Sequence, residues 1–209
     1  MKRINHIVFS FLLVVFCGVV IFYYSQLIRT NAMLKRSNVE LKDSMNYVNF
    51  KLQYVTQQID LAFKEGNRAV TLEKVLAYHL KDGKRQQPFR LSELATGNKR
   101  KLIIRYTEIG CNQCADKVVS LIKSNKGIER DYETIVLVDF SNYDSYLKWR
   151  KISEVDFPVF WVKKGDMPYG VEKDNNSYVF VLNPNAAATS FFIPDSRFES
   201  YIATYVNTL

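Results

Sequence analysis

Cysteine, histidine, glycine and proline are all scarce in this chain, and each scarcity excludes something. Three cysteines in 209 residues cannot build a disulfide scaffold. The two histidines, His6 and His79, are both remote in sequence from Cys111 and Cys114, so a tetrahedral zinc site has no evident ligand set. Eight glycines and five prolines are too few for long flexible linkers, so whatever accompanies a domain of about 110–140 residues should itself be ordered. An acidic excess is also missing: 29 Lys and Arg stand against 21 Asp and Glu, a formal charge of +8. With 47% hydrophobic and 24% charged side chains, the composition is that of a folded protein and excludes a disordered or collagen-like chain.

The positive charge is unevenly spread. Residues 1–65 hold 8 basic and 4 acidic side chains, residues 66–100 hold 8 and 3, and residues 101–209 hold 13 and 14. The excess therefore adjoins an apolar N-terminus, and no recognition helix or aromatic nucleic-acid module accompanies it. No nucleic-acid partner is expected; the excess reads as a solvated face near lipid.

Residues 7–24, IVFSFLLVVFCGVVIFYY, run 18 residues without a charge, and about 20 helical residues cross a hydrocarbon core of ~30 Å. Tyr23 and Tyr24 fall where amphipathic rings prefer the interface, with Lys2, Arg3 and His6 at the other end. A cleaved signal peptide needs a shorter core and a small-x-small site, and YYSQLIRTNAM offers no clean one. Residues 1–28 thus read as an uncleaved single-pass anchor, with Cys17 facing lipid and inert. Arg29, Lys35 and Arg36 beyond the run balance Lys2 and Arg3 before it, so the positive-inside rule does not set the orientation. A short tail followed by a long soluble part is the layout of an exported domain. The expectation is the cytoplasmic (inner) membrane, with the C-terminal domain facing the periplasm or cell exterior.

Leu27, Leu34, Leu41, Val48, Val55 and Ala62 recur every seven residues, interleaved with Asn31, Asn38, Met45, Leu52 and Ile59. Taken as d and a positions, they predict a heptad stalk over residues 29–65. Asn at two a positions pairs with its own copy in a parallel dimer, so a parallel homodimer is expected. The alternative is a helix whose stripe packs on the chain's own domain. The segment AVTLEKVLAYHLKDG predicts one more helix, ending at Asp82-Gly83 and carrying His79 without chemistry, and polar GKRQQP completes a helix-and-linker region over residues 66–87.

From residue 88 to 209 the elements alternate: a strand at 102–107, a helix at 111–124, a strand at 134–140 and a helix at 143–152. Strands follow at 157–162, 178–182 and 190–193, then a helix at 197–205, which makes an α/β domain. IVLVDF and YVFVLN are continuous apolar runs, as in central strands covered on both faces, and Asn183-Pro184-Asn185 turns an antiparallel hairpin. In FPVFWVKKGDMPYG, the aromatics Phe157, Phe160 and Trp161 are assigned to core packing. The Cys111-Asn112-Gln113-Cys114 motif opens the first helix, directly after the first strong strand. Unsatisfied N–H groups and the helix dipole there favour thiolate, so Cys111 is the exposed attacking thiol, with Cys114 one turn below as its resolving partner.

This strand–CxxC–helix junction, the element order after it and YVFVLNPN with its short strand and terminal helix resemble the thioredoxin superfamily. FRLSELATGNKRKLIIRYTEIGCNQC is similar to the entry of membrane-anchored TlpA-like thiol-disulfide oxidoreductases. The resemblance implies a thioredoxin-like fold over residues 88–209, Cys111 as nucleophile, Cys114 as resolving thiol, protein disulfides as substrates, and neither cofactor nor metal. It departs from the family at three places. The family's cis-proline position reads Asn175-Asn176-Ser177-Tyr178, placing Ser177 in the slot, with Asn176 beside it, as the substrate-facing edge together with Asn112 and Gln113. The buried acid of the preceding strand falls at Arg105, which leaves Glu108 as the nearest carboxylate to move protons for Cys114. The dipeptide Asn112-Gln113 carries no sign of a reducing or oxidising poise. Two other functions compete with oxidoreductase: a non-enzymatic interaction or redox-sensing module, and soft-metal handling, which lacks a nearby His or Met ligand.

Overall fold

The computed structural model describes residues 2–66, 72–81 and 84–209; the side chains of residues 2–10 lie outside the description, and with them the flanking Lys2, Arg3 and His6. The chain divides into two units, residues 1–53 and residues 54–209.

The first unit is helix. It is the larger part of α1 (Lys2–Gly66), 65 residues unbroken by proline. Every described side chain from residue 11 to residue 53 is exposed, including Leu34, Leu41, Met45, Val48 and Leu52 of the heptad series. By length and composition this helix can cross a membrane, with a mean hydropathy of 2.3 over an 18-residue stretch within Phe11–Gly66.

The second unit begins with the last turns of α1, where the face changes. Tyr54, Leu61 and Glu65 are buried and Gln58 half-buried, a spacing of four, three and four that marks one stripe. That stripe lies beside the heptad seam, for Leu52 and Ile59 stay 63% and 51% exposed.

The sheet has seven strands: β1 (Leu76–Lys81), β2 (Lys84–Arg90), β3 (Arg100–Tyr106), β4 (Tyr132–Val138), β5 (Val159–Val162), β6 (Tyr178–Leu182) and β7 (Ala188–Phe192), in the order β2-β1-β5-β4-β3-β6-β7. β3, β4 and β5 run parallel, linked through α2 (Asn112–Ser124), the short α3 (Lys126–Asp131) and α4 (Tyr143–Ile152). β6 is antiparallel to β3 and β7 antiparallel to β6, and α5 (Glu199–Thr208) closes the chain. A strand entering a CxxC helix, a parallel partner strand, then an antiparallel hairpin and a terminal helix make a thioredoxin-like domain.

β3 is buried on both faces, which explains its unbroken apolar run. Leu102, Ile104 and Tyr106 join the core under α2 and α5 with Val118, Ile122 and Ile202. Ile103 points to the opposite core with Leu137, Phe180 and Leu61 of α1, and the two-residue period sends Arg105 to that side too.

Residues 66–87 differ from the helix and linker expected. Residues 67–71 and the expected stop at Asp82-Gly83 lie outside the described residues, but Leu72–Lys74 is a single 3-10 turn and Leu76–Lys81 is strand β1. Leu76, Tyr78 and Leu80 satisfy a period of two as readily as a helical one, and the open edge of β5 decides between them: Ala77, Tyr78 and His79 pair with Val162, Trp161 and Phe160. His79 therefore sits on a strand, its ring between Phe89 and Phe160 at 5.1 and 4.8 Å. The described part of that segment, KRQQP, is no linker but the start of β2, where Pro88 is tolerated because β2 is the outermost strand. Phe160 and Trp161 are buried core residues of β5.

Candidate active site

The first turn of any helix leaves backbone N–H groups without intrahelical partners. In α2 the residue at the cap position is Cys111, whose sulfur accepts the Cys114 N–H at 3.2 Å, the place a serine or aspartate oxygen commonly fills. Cys111 is exposed and Cys114 only 3% exposed, and the two are joined as a disulfide with their Cα atoms 5.2 Å apart. A reagent in solvent thus meets Cys111 first. The Cys114 sulfur accepts a second backbone donor, the Ser196 N–H, at 3.2 Å.

The residues between β3 and Cys111 are fastened to two neighbouring loops. The Glu108 N–H donates to Asp139 Oδ1 at 2.6 Å, and the Glu108 carboxylate accepts from the Ser141 N–H and hydroxyl at 3.2 and 3.0 Å. Glu108 is therefore turned toward the loop after β4. The Thr107 hydroxyl donates to Asn175 O at 2.6 Å, and its N–H to Ser177 Oγ at 3.4 Å. Ser177 is 2% exposed and stands against Gly110: a Cβ added there would lie 2.7 Å from both the Ser177 N and Oγ. That approach brings the residue before Cys111 onto the 175–177 loop, with Asn175 in the left-handed region at φ 53°. No peptide bond among the described residues is cis.

Arg105 is wholly buried, and the charge placed there is matched rather than removed. Its guanidinium meets Glu172 Oε1 at 2.6 Å and Asp139 Oδ2 at 3.3 Å, and donates to Val162 O at 3.3 Å. The Tyr178 hydroxyl closes the cluster on Glu172 Oε2 at 2.9 Å. Burial alone would lower the Arg105 pKa, but Glu172, Tyr178 and Asp139 reverse this and raise it. Burial pushes the Asp139 carboxyl above the usual range, with Arg105 and the Glu108 N–H opposing. On the other face of the sheet, Tyr106 donates to Asp116 Oδ1 of α2 at 2.7 Å, and burial raises the Asp116 carboxyl.

Of the residues predicted from sequence, Cys111, Asn112, Gln113 and Cys114 share the start of α2. Gln113 is exposed; Asn112 is half-buried, with its Oδ1 enclosed and lacking a hydrogen-bond partner. Ser177 meets Gly110 and turns its hydroxyl inward, while Asn176 is half-exposed. Ile109, 70% exposed, adds an apolar side chain to the rim. Sequence reasoning missed Asp139, Ser141, Glu172 and Ser196. Asp139 was the most accessible of these, as a lone carboxylate ending an apolar strand. No group of three or more His, Cys, Asp or Glu able to hold a metal occurs among the described residues.

No protein-family model matches the chain, and no curated protein does. Solved structures similar to it include a secreted Mycobacterium tuberculosis disulfide oxidoreductase homologous to E. coli DsbE, at 12% identity and TM-score 0.43, covering 65% of this chain and 96% of that one. Another is a thiol:disulfide interchange protein from a Bacteroides species, at 13% identity and TM-score 0.43, covering 66% and 91%. A third is the thioredoxin domain of a thiol-disulfide oxidoreductase from Bacteroides vulgatus, at 10% and 0.44, covering 66% and 96%.

Arg105→Leu should cost about 3–5 kcal/mol, because it strands two buried carboxylates. Burial already raises the Asp139 carboxyl against the pull of Arg105, so without the guanidinium it binds its proton more tightly folded than unfolded, and stability falls as pH rises above about 4. Denaturant unfolding at pH 5 and pH 7.5 should show a smaller deficit at the lower pH. Gly110→Ala should destabilise by roughly 1–3 kcal/mol through the clash with the Ser177 backbone, measured in the same way.

Proposed function

We propose that the protein is a thiol-disulfide oxidoreductase anchored in the cytoplasmic membrane by α1, with its thioredoxin-like domain outside, acting on protein disulfides. The observation that carries this reading is the asymmetry of the pair: an exposed Cys111 capping α2, joined to a buried Cys114 one turn below. In the reducing direction the Cys111 thiolate attacks a substrate disulfide, forming a mixed disulfide and releasing one substrate thiolate. The Cys114 thiolate then attacks Cys111 Sγ, which yields the intramolecular disulfide and releases the second. The oxidising direction uses the same steps in reverse. Asn112, Gln113, Asn176 and Ile109 form the edge a substrate segment would meet, with Ser177 supporting the loop from beneath. Glu108, half-exposed and held by Ser141, is assigned to exchange protons with solvent for Cys114.

A parallel homodimer through the heptad seam is part of the proposal. The chain's own domain takes the stripe of Tyr54, Leu61 and Glu65, which leaves Leu52, Ile59 and the seam before them uncovered, and Asn31 and Asn38 favour a second parallel copy there. The competing reading, a binding or redox-sensing module, is favoured by the inward-turned Ser177 hydroxyl where the resembled family presents a cis-proline.

Cys114→Ser should accumulate mixed disulfides between Cys111 and substrate proteins in membranes, seen as reductant-sensitive high-mass species; Cys111→Ser should abolish them. A binding module would instead keep its partners in both variants. In a background with Cys17, Cys111 and Cys114 replaced by Ser, Leu41→Cys at a d position should cross-link into a dimer on oxidation. Asp43→Cys, on the opposite side of the helix, should not.

A further inference from the structure

We propose that the last turns of α1 tune the resolving cysteine. Tyr54 and Gln58 hold the backbone at Ile193, and thereby position the Ser196 N–H that donates to the Cys114 sulfur. This rests on the redox reading above and adds positioning residues to it.

Ile193 follows directly on β7, the edge strand, where the backbone has no further strand to pair with. α1 supplies the missing partners. Gln58 Nε2 donates to Ile193 O at 2.8 Å, Gln58 Oε1 accepts the Ile193 N–H at 3.1 Å, and the Tyr54 hydroxyl donates to the same carbonyl at 2.9 Å. One side-chain amide thus does for Ile193 what a neighbouring strand would do. Only two residues, Pro194 and Asp195, separate Ile193 from Ser196. Pro194 fixes its own φ, and the Asp195 carboxylate accepts the Arg197 N–H at 2.9 Å while gripping the Arg197 guanidinium at 3.0 and 2.6 Å. The far end of the segment is pinned as well, because the Tyr54 ring packs on Phe198 at 4.7 Å between centroids. Burial pushes the Tyr54 pKa up, with Asp195 adding, so its hydroxyl stays protonated and continues to donate.

The chemical consequence follows from what the Ser196 N–H meets in each state. In the disulfide it faces a neutral sulfur at 3.2 Å. When Cys111 is tied up in a mixed disulfide, Cys114 must act as thiolate, and an N–H aimed at an anionic acceptor makes a charge-assisted bond of roughly twice the strength. The donor therefore favours the thiolate over the disulfide, and keeps more of Cys114 in the form that attacks Cys111. Loosening the clamp should move the pair toward the disulfide and slow the attack of Cys114 on Cys111.

The test uses full-length protein in detergent micelles, with glutathione as the redox probe and thiol alkylation as the readout. Tyr54→Phe and Gln58→Met keep the packed shapes and remove the hydrogen bonds. The double variant should shift the dithiol–disulfide equilibrium about tenfold toward the disulfide, which is roughly 30 mV lower in potential, and should reduce glutathione disulfide more slowly. Leu182→Ala, a cavity in the core on the other side of the sheet from α2, should lower stability without moving the potential. A wild-type pair that titrates beside an unmoved double variant overturns the inference alone, as does an equal shift in Leu182→Ala. A wild-type pair that cannot be reduced reversibly overturns the inference and the redox reading together.

Discussion

A guanidinium buried in the sheet is the interaction on which the site depends. Arg105 cannot lose its charge in that interior, so the fold brings Asp139 from the end of β4 and Glu172 from the turn before β6 to meet it. Those two carboxylates extend the cluster outward. Asp139 also takes the Glu108 N–H, fixing the segment that leads to Cys111, and Glu172 holds Tyr178, the residue after Ser177. The loop before the CxxC helix and the loop facing it are thus tied to the same ionic cluster. Rigid delivery of Cys111 to the start of α2 is its result.

The second constraint is the double use of α1. A helix has several faces, and here two adjacent ones carry different patterns: Tyr54, Gln58, Leu61 and Glu65 pack on the domain, while Leu52, Ile59 and Ala62 of the a and d series stay exposed beside them and Val55 is half-buried. Glu65 shows the domain-facing pattern reaching the helix end, where its Oε1 accepts the Gly170 N–H at 2.5 Å. An element that enters the proposed mechanism as an anchor also supplies the hydrogen bonds that complete the edge strand next to the resolving cysteine.

Much of the domain could be read from sequence because its central strands are buried on both faces. Continuous apolar runs such as YVFVL mark themselves, and β6 lies where the pattern put it. The CxxC junction was legible for the same reason, since a helix start after a strong strand is a local feature. The N-terminal hairpin was not: Leu76, Tyr78 and Leu80 fit two periods, and only the unpaired edge of β5 selects strand. Arg105 stood out in sequence as a charge where an acid was expected, yet its partners lie 34 and 67 residues away and no local pattern announces them. The bond from Ser196 to Cys114 spans 82 residues and uses a backbone donor, which leaves no trace in side-chain identity.

The most direct measurement of the central claim is a glutathione redox titration of Cys111 and Cys114 in the full-length protein, read by thiol alkylation. Working dithiol catalysts span about −270 to −120 mV, and the account predicts a reversible two-electron transition inside that range. A potential below about −300 mV, or no disulfide formed at all, would contradict it and mark the pair as structural or idle.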